Sequence, residues 1–186
     1  MRQSMATIPT ASPLWQASRE AIGNSNLNAY QRFIKGEHGV ALDNYQQFHQ
    51  WSVDHTEDFW ESIWQFSGVI ASRRYNTVLE DKERFPGARW FPGAELNFAE
   101  NLLRYAQHED AASKIAIVAR LENGERREIS YADLYGEVEQ LAAGLKAAGV
   151  TVGDRVAAFM PNVPEAIVAM LATTSLGAMW PSCSPD

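Results

Sequence analysis

The sequence predicts an α/β protein: a helical, aromatic-rich N-terminal segment, then the first part of a mixed, mostly parallel sheet flanked by helices. Two observations carry this prediction. The composition changes near residue 95, because Trp15, Trp51, Trp60, Trp64 and Trp90 precede it and only Trp180 follows. The second half is rich in Ala, Val, Leu and Gly, and its apolar pattern alternates between the period of a strand and that of a helix. The order reads hairpin, helix, strand, helix, strand. A strand, a crossover helix and a strand imply parallel pairing, whereas a hairpin is antiparallel, hence the mixed sheet.

The bulk numbers bound the rest. A length of 186 residues suits one domain, or a domain with an appendage. Hydrophobic residues make up 46%, enough for a packed core. The net charge of -7 argues against a nucleic-acid partner, which needs a basic face to displace counterions. No apolar run approaches the roughly 20 residues of a membrane helix, so no membrane partner is expected. Residues 1–13, MRQSMATIPTASP, lack the apolar stretch of a secretory signal. One cysteine, Cys183, allows no disulfide within the chain, and a cytoplasmic protein is expected. The 4 His and the single Cys form no cluster with zinc-ligand spacing, so no metal site is expected here.

Three regions are expected: a flexible or irregular N-terminus over 1–40, a helical segment over 41–95, and the start of an α/β domain over 96–186. Within "DNYQQFHQWSVDHTEDFWESIWQFSG", Asp43 or Asn44 can cap a first helix that carries Tyr45, Phe48 and Trp51 on one face. Thr56 can cap a second, with Glu57 and Asp58 in its first turn and Phe59, Trp60, Ile63 and Trp64 facing a core. Gly68 suits its stop. In "YNTVLEDKERFPGARWFPG" the prolines and glycines are expected to break regular structure. Helical period resumes in "ELNFAENLLRYAQHE", with Leu96, Ala99, Leu102, Leu103 and Ala106 on one side. Asn97 and Asn101 lie four apart on another face, where they could bind a ligand or cap a neighbouring loop.

The elements of the α/β region follow in order. Lys114 to Leu121 and the segment to Ile129 read as a hairpin, with Asn123-Gly124 as a type I′ turn. Ser130 with Asp133 resembles a capping box for a long helix that buries Leu134, Val138, Leu141, Ala142 and Leu145 and stops at Gly149. Arg155 to Met160 reads as a short buried strand. A helix follows with Asn162 near its start and Pro164 in its first turn. It runs to about Ser175, Gly177 ends it, and Ala178 to Pro181 begins the next strand.

No motif of known chemistry stands in the chain. There is no GxxxxGK[ST] phosphate loop, no GxGxxG after a strand, no GxSxG elbow and no HExxH. Cys183 has no histidine near it in sequence, and Pro181 and Pro185 bracket it, which favours a structural role over a nucleophile. From the residues alone, no catalytic residue is assigned.

The ordered set "EDFWESIW", "WFPGAELNFAENLL", "ISYADL" and "AGVTVGDRVAAFMPNVPEAIVAMLATTSLGAMWPSCSPD" resembles the N-terminal part of the acetyl-CoA synthetase-like enzymes, a branch of the adenylate-forming superfamily. The resemblance runs from about Tyr45 to Asp186. "FPGAELNFAENLL" and the final "CSPD" are most similar to the acetoacetate–CoA ligases of that branch. The resemblance implies an ATP-dependent ligase that joins acetoacetate to CoA through an acyl-adenylate, with ATP, CoA and magnesium as its cofactors. It also implies that the phosphate loop, the acyl pocket and the catalytic groups lie beyond Asp186. The 186 residues are therefore expected to be a truncated piece, inactive alone, with sheet edges open to self-association.

One site carries over. A Phe-Gly-Gly near the adenine end of CoA in acetyl-CoA synthetases aligns, on "LGA", with Ser184, Pro185 and Asp186. This sequence differs at each of the three, and a plain turn at the strand end is the other reading. In the opening of the same stretch, Trp90 and Phe91 are expected to pack a joint between the aromatic segment and the main domain. Two further readings stand beside the ligase: an acetyl- or propionyl-CoA synthetase, and a non-catalytic binding module derived from the family. A nucleotide-dependent oxidoreductase is disfavoured, because no glycine-rich turn follows a strand.

Overall fold

The computed structural model describes residues 14–185 and divides the chain into two compact units, up to Ser67 and from Gly68.

The first unit is helical: α1 (Arg19–Gly23), α2 (Asn26–His38), α3 (Tyr45–Asp54) and α4 (Thr56–Phe66). The irregular chain expected over 1–40 does not hold for residues 19–38. Ser18 and Ser25 cap α1 and α2 by accepting from the Ala21 and Asn28 N–H groups, and Gly39 closes α2 in the left-handed region. The signal was available, since each serine opens a helix-compatible run. Tyr30, Ile34 and Trp51 form the core, with Phe33, Phe48, Phe59 and Ile63 against it. The rings meet mostly edge to face, as their quadrupoles prefer, with Phe48 and Phe59 both roughly perpendicular to Tyr30. Trp60, expected in the core, is 39% exposed.

Asn44 caps α3 through the Gln47 N–H. Thr56 does not cap α4. It is the first helical residue, and its hydroxyl donates back to the Val53 carbonyl at 2.8 Å. The α3–α4 junction is so short that His55 ends one helix and starts the next.

The second unit holds β1 (Leu79–Glu80), β2 (Arg89–Trp90), α5 (Phe98–Leu103), a 3-10 turn (Arg104–Gln107), α6 (Glu109–Ala112), β3 (Ile115–Arg120), β4 (Arg126–Ser130), α7 (Tyr131–Ala147), β5 (Ala158–Phe159), α8 (Pro164–Ser175) and β6 (Ser182–Cys183). The strands pair as β1–β2 and β3–β4, antiparallel, and β5–β6, parallel. The mixture of pairings follows the sequence pattern, while the β1–β2 pair forms where prolines and glycines were expected to break structure. Phe91 then turns the chain with φ +47°, packs its ring tilted against Tyr75 with centroids 5.0 Å apart, and donates its N–H to Val78 O. Gly93 follows at φ +87°, where a Cβ would meet the Asn76 amide at 2.8 Å, so only glycine fits.

The core of this unit is aliphatic: Ala99, Leu103, Ile129, Leu134, Val138, Val168, Leu171 and Ala172. Leu96 and Leu102, expected beside Ala99 and Leu103, are exposed: Leu96 lies before α5, which starts only at Phe98, and Leu102 points off its buried side. Leu141 likewise lies at the exposed edge of α7, and Leu134 and Val138 carry the burial.

The β3–β4 turn departs from the type I′ expectation. Residues 121–125 connect the strands and close a three-residue loop, 122–124: the Gly124 N–H donates to Leu121 O and the Leu121 N–H to Glu125 O, both at 2.9 Å. Gly124 alone has a positive φ, +84°, as in a type I turn closed by a glycine bulge. The capping box is half made. The Ser130 hydroxyl accepts from the Asp133 N–H at 3.1 Å and donates to the Asp133 carboxylate at 2.6 Å, while Ser130 itself pairs with Ile115 in the ladder.

Candidate functional site

The β5–β6 pair defines the candidate site. Its ladder runs further than the strands themselves. Met179 N–H donates to Asp154, Val156 N–H to Met179, Ala158 N–H to Pro181 and Met160 N–H to Cys183. Because the two strands are parallel, their carboxyl ends lie at one edge. In open α/β sheets ligands bind outside that edge. Here it is formed by Met160, Pro161 and Asn162 after β5, and by Ser184 and Pro185 after β6. Both of the latter are exposed; Asp186, the third residue of the predicted CoA contact, lies outside the described residues. The strand expected to be buried is open, with Phe159 at 75% exposure, because a two-stranded sheet leaves one face uncovered.

Helix α8 begins at this edge. Val163 precedes it, Pro164 fills its first position, and no side chain caps it. The positive end of the helix is met instead by its own Glu165. That carboxyl is held below its ordinary range, first by its own backbone N–H and then by Arg127, whose guanidinium donates to it at 2.8 Å. Arg127 is raised in turn by the same bond. Thus β4 is tied to the start of α8 across 38 residues of sequence, a contact the sequence does not signal.

A second feature lies elsewhere in this unit, a cleft of about 480 Å³ walled by α5, the 3-10 turn and α7. Its floor is Ala99, Leu103, Val138 and Ala142; Glu100, Arg104 and Glu139 stand at its sides. Asn97 reaches it but is fully occupied. Its Oδ1 accepts from the Glu100 N–H, capping α5, and its Nδ2 donates to the carbonyls of Thr174 and Ser175, which end α8. Asn101 clasps Ile70 through both its N–H and its carbonyl. Of the two roles open to these asparagines, loop and helix capping is the one they fill. The Asn97–Glu100 spacing, that of a capping motif, was the signal for the first of these bonds.

Among the described residues, the segments 160–162 and 184–185 at the strand edge hold no ionisable side chain, and the exposed thiol of Cys183 lies beside them. Among the described residues, no three His, Cys, Asp or Glu side chains converge to hold a metal. Nor does any helix have the length and apolarity to cross a membrane.

Comparisons with known proteins bear on the fold. Residues 104–186 match the model of the AMP-binding enzymes, and residues 45–102 match that of the acetyl-coenzyme A synthetase N-terminus. Residues 45–186 are thus similar to the AMP-binding enzymes and, among them, to the acetyl-CoA synthetase-like branch. Within it the chain is similar to acetoacetyl-CoA synthetases: it is 40% identical to that of Rhizobium meliloti (strain 1021) over 94% of this chain and 26% of the relative, and 38% identical to that of Macaca fascicularis over 88% and 24%. A malonamoyl-CoA synthetase of Penicillium aethiopicum is 38% identical over 93% of this chain and 24% of the relative. In structure, the chain superposes on an acetoacetyl-CoA synthetase from Streptomyces lividans with a TM-score of 0.83 and 40% identity, over 95% of this chain and 27% of that one. The chain spans about a quarter of the length of the curated relatives it matches.

Proposed function

We propose that this chain forms the N-terminal region of an ATP-dependent acid–thiol ligase that converts acetoacetate, ATP and CoA to acetoacetyl-CoA, AMP and pyrophosphate. The observation that carries the reading is identity of 34–40% to acetoacetyl-CoA synthetases over most of the chain. In such a reaction the acid's carboxylate attacks the α-phosphate of ATP and pyrophosphate leaves; the CoA thiol then attacks the acyl carbonyl and AMP leaves. The relatives' names support the choice of acid. Acetoacetyl and malonamoyl groups both carry a carbonyl on the β carbon, which acetyl and propionyl groups lack.

On this reading residues 68–185 are scaffold. They present the carboxyl ends of β5 and β6, with Ser184 and Pro185 on the CoA side and Asp186 next in sequence. Magnesium would offset charge on the phosphates, but the donor set here does not suit it, and no step is assigned to it. The open edges of β5 and β6 support pairing with further strands, or self-association where those are missing. A cytoplasmic setting fits the CoA and ATP chemistry.

Acetoacetate-dependent exchange of pyrophosphate into ATP tests the proposal. The 186-residue chain is compared with a chimera in which it replaces the matching quarter of the Streptomyces lividans enzyme. The chimera is expected to be active with acetoacetate in preference to acetate or propionate, and the chain alone silent. Activity of the chain alone, or a folded chimera with no exchange, would overturn it.

A further inference from the structure

The chain holds a single Asn-Gly pair, Asn123-Gly124, and it lies exposed at the tip of the β3–β4 hairpin. This pair is the backbone's own modification chemistry. The Gly124 nitrogen can attack the Asn123 side-chain carbonyl carbon, closing a five-membered succinimide, while the side-chain nitrogen leaves as ammonia. Water then opens the ring, giving aspartate or the β-linked isoaspartate. Glycine favours the attack because no Cβ shields its nitrogen.

The folded turn holds both reacting groups in other bonds. The attacking nitrogen must lose its proton, yet Gly124 N–H donates to Leu121 O at 2.9 Å. The Asn123 Oδ1 accepts from the Glu125 N–H at 2.9 Å, which fixes the side chain over residue 125. We propose that Asn123 is a spontaneous deamidation site that the closed hairpin holds off, so that its conversion proceeds through opening of the turn.

The product would keep the turn from re-forming as it was. A carboxylate at 123 faces Glu125, whose Oε2 now lies 3.5 Å from the Asn123 amide, and Glu122 adjoins it. Isoaspartate also adds a backbone atom inside the Leu121–Glu125 pair, shifting the register of β4. Arg127 lies two residues along and holds Glu165 at the start of α8, so the lesion is aimed at the candidate site.

The purified chain is incubated at mildly alkaline pH in native buffer and in denaturing urea. Peptide mapping reads conversion at Asn123, and hydrogen exchange reads the Gly124 amide. The expected results are conversion at least about ten-fold slower in the native state, as for a reaction limited by local opening, and a protected Gly124 amide. Equal rates in both conditions, or faster conversion in the native state, would overturn the proposal. So would a slow native reaction with an unprotected Gly124 amide. An Asn123→Gln variant, which would need a six-membered ring, is expected to show no conversion on the same time scale; conversion there would assign the chemistry to another mechanism and sink the proposal.

Discussion

The two units solve the same packing problem with different residues. The first fills its core with rings: Tyr30, Trp51, Phe33, Phe48 and Phe59 around Ile34. The second uses small and branched aliphatics, with Ala99, Ala172 and Ala142 letting α5, α7 and α8 approach. Rings fill volume from few positions. Aliphatic layers need many interlocking positions, but they leave the flanking strands free to present their ends. That difference predicts where the chain is sensitive, and it separates the unit that carries the candidate site from the one that does not.

The largest effect belongs to the aliphatic core. Leu171, 2% exposed in α8, sits in the buried aliphatic cluster of this unit. Leu171→Ala is expected to cost roughly 2–5 kcal/mol, read as lost hydrogen-exchange protection over α7 and α8. A cost below that range would mean that the helices collapse onto the cavity, and the contrast between the cores would weaken.

A smaller effect is expected in the aromatic core. Tyr30 meets the fully buried Ser62 hydroxyl at 2.5 Å, and burial pushes its phenol up. Tyr30→Phe keeps the ring contacts, and Ser62 retains its bond to the Phe59 carbonyl. The cost should be about 1 kcal/mol, measured by urea unfolding. A much larger loss would show that the polar pair, not ring packing, holds this unit.

The smallest effect comes with acid. The Thr151 N–H and hydroxyl hold the Asp154 carboxyl below its ordinary value, and Glu165 is lowered by its own N–H and Arg127. A depressed carboxylate contributes stability that is present above its unfolded pKa and lost as pH falls through the folded one. The second unit should therefore lose stability slightly below about pH 4, and Arg127→Ala should flatten the Glu165 part of that slope. These groups are largely exposed, so the change is small. A steep loss would require a buried acid that the structure does not contain among its described residues.

The sequence displayed much of this. The Asn44 and Ser130 caps, the stops at Gly68 and Gly149, the hairpin, and the strand–helix–strand unit were all legible, because each depends on residues within a few positions of one another. The family was legible from ordered motifs, and the comparisons bear it out. The helices at 19–38 were missed although their serine caps were in view, and the β1–β2 pair was missed because its residues look like loop.

By itself, then, the sequence determined the helices and strands of its regular second half and the kind of enzyme they resemble. Only the tertiary structure decided that Asn97 caps the end of α8 rather than a ligand, that Arg127 occupies Glu165, that Leu102 and Leu141 face out, and that Gly124 N–H is tied to Leu121. The physical reason is distance along the chain. Propensity and capping are local free energies, written in neighbouring residues. Which of several exposed polar groups finds which partner depends on how helices cross and where a stripe of side chains rotates, and a pair 38 or 77 residues apart leaves no local trace.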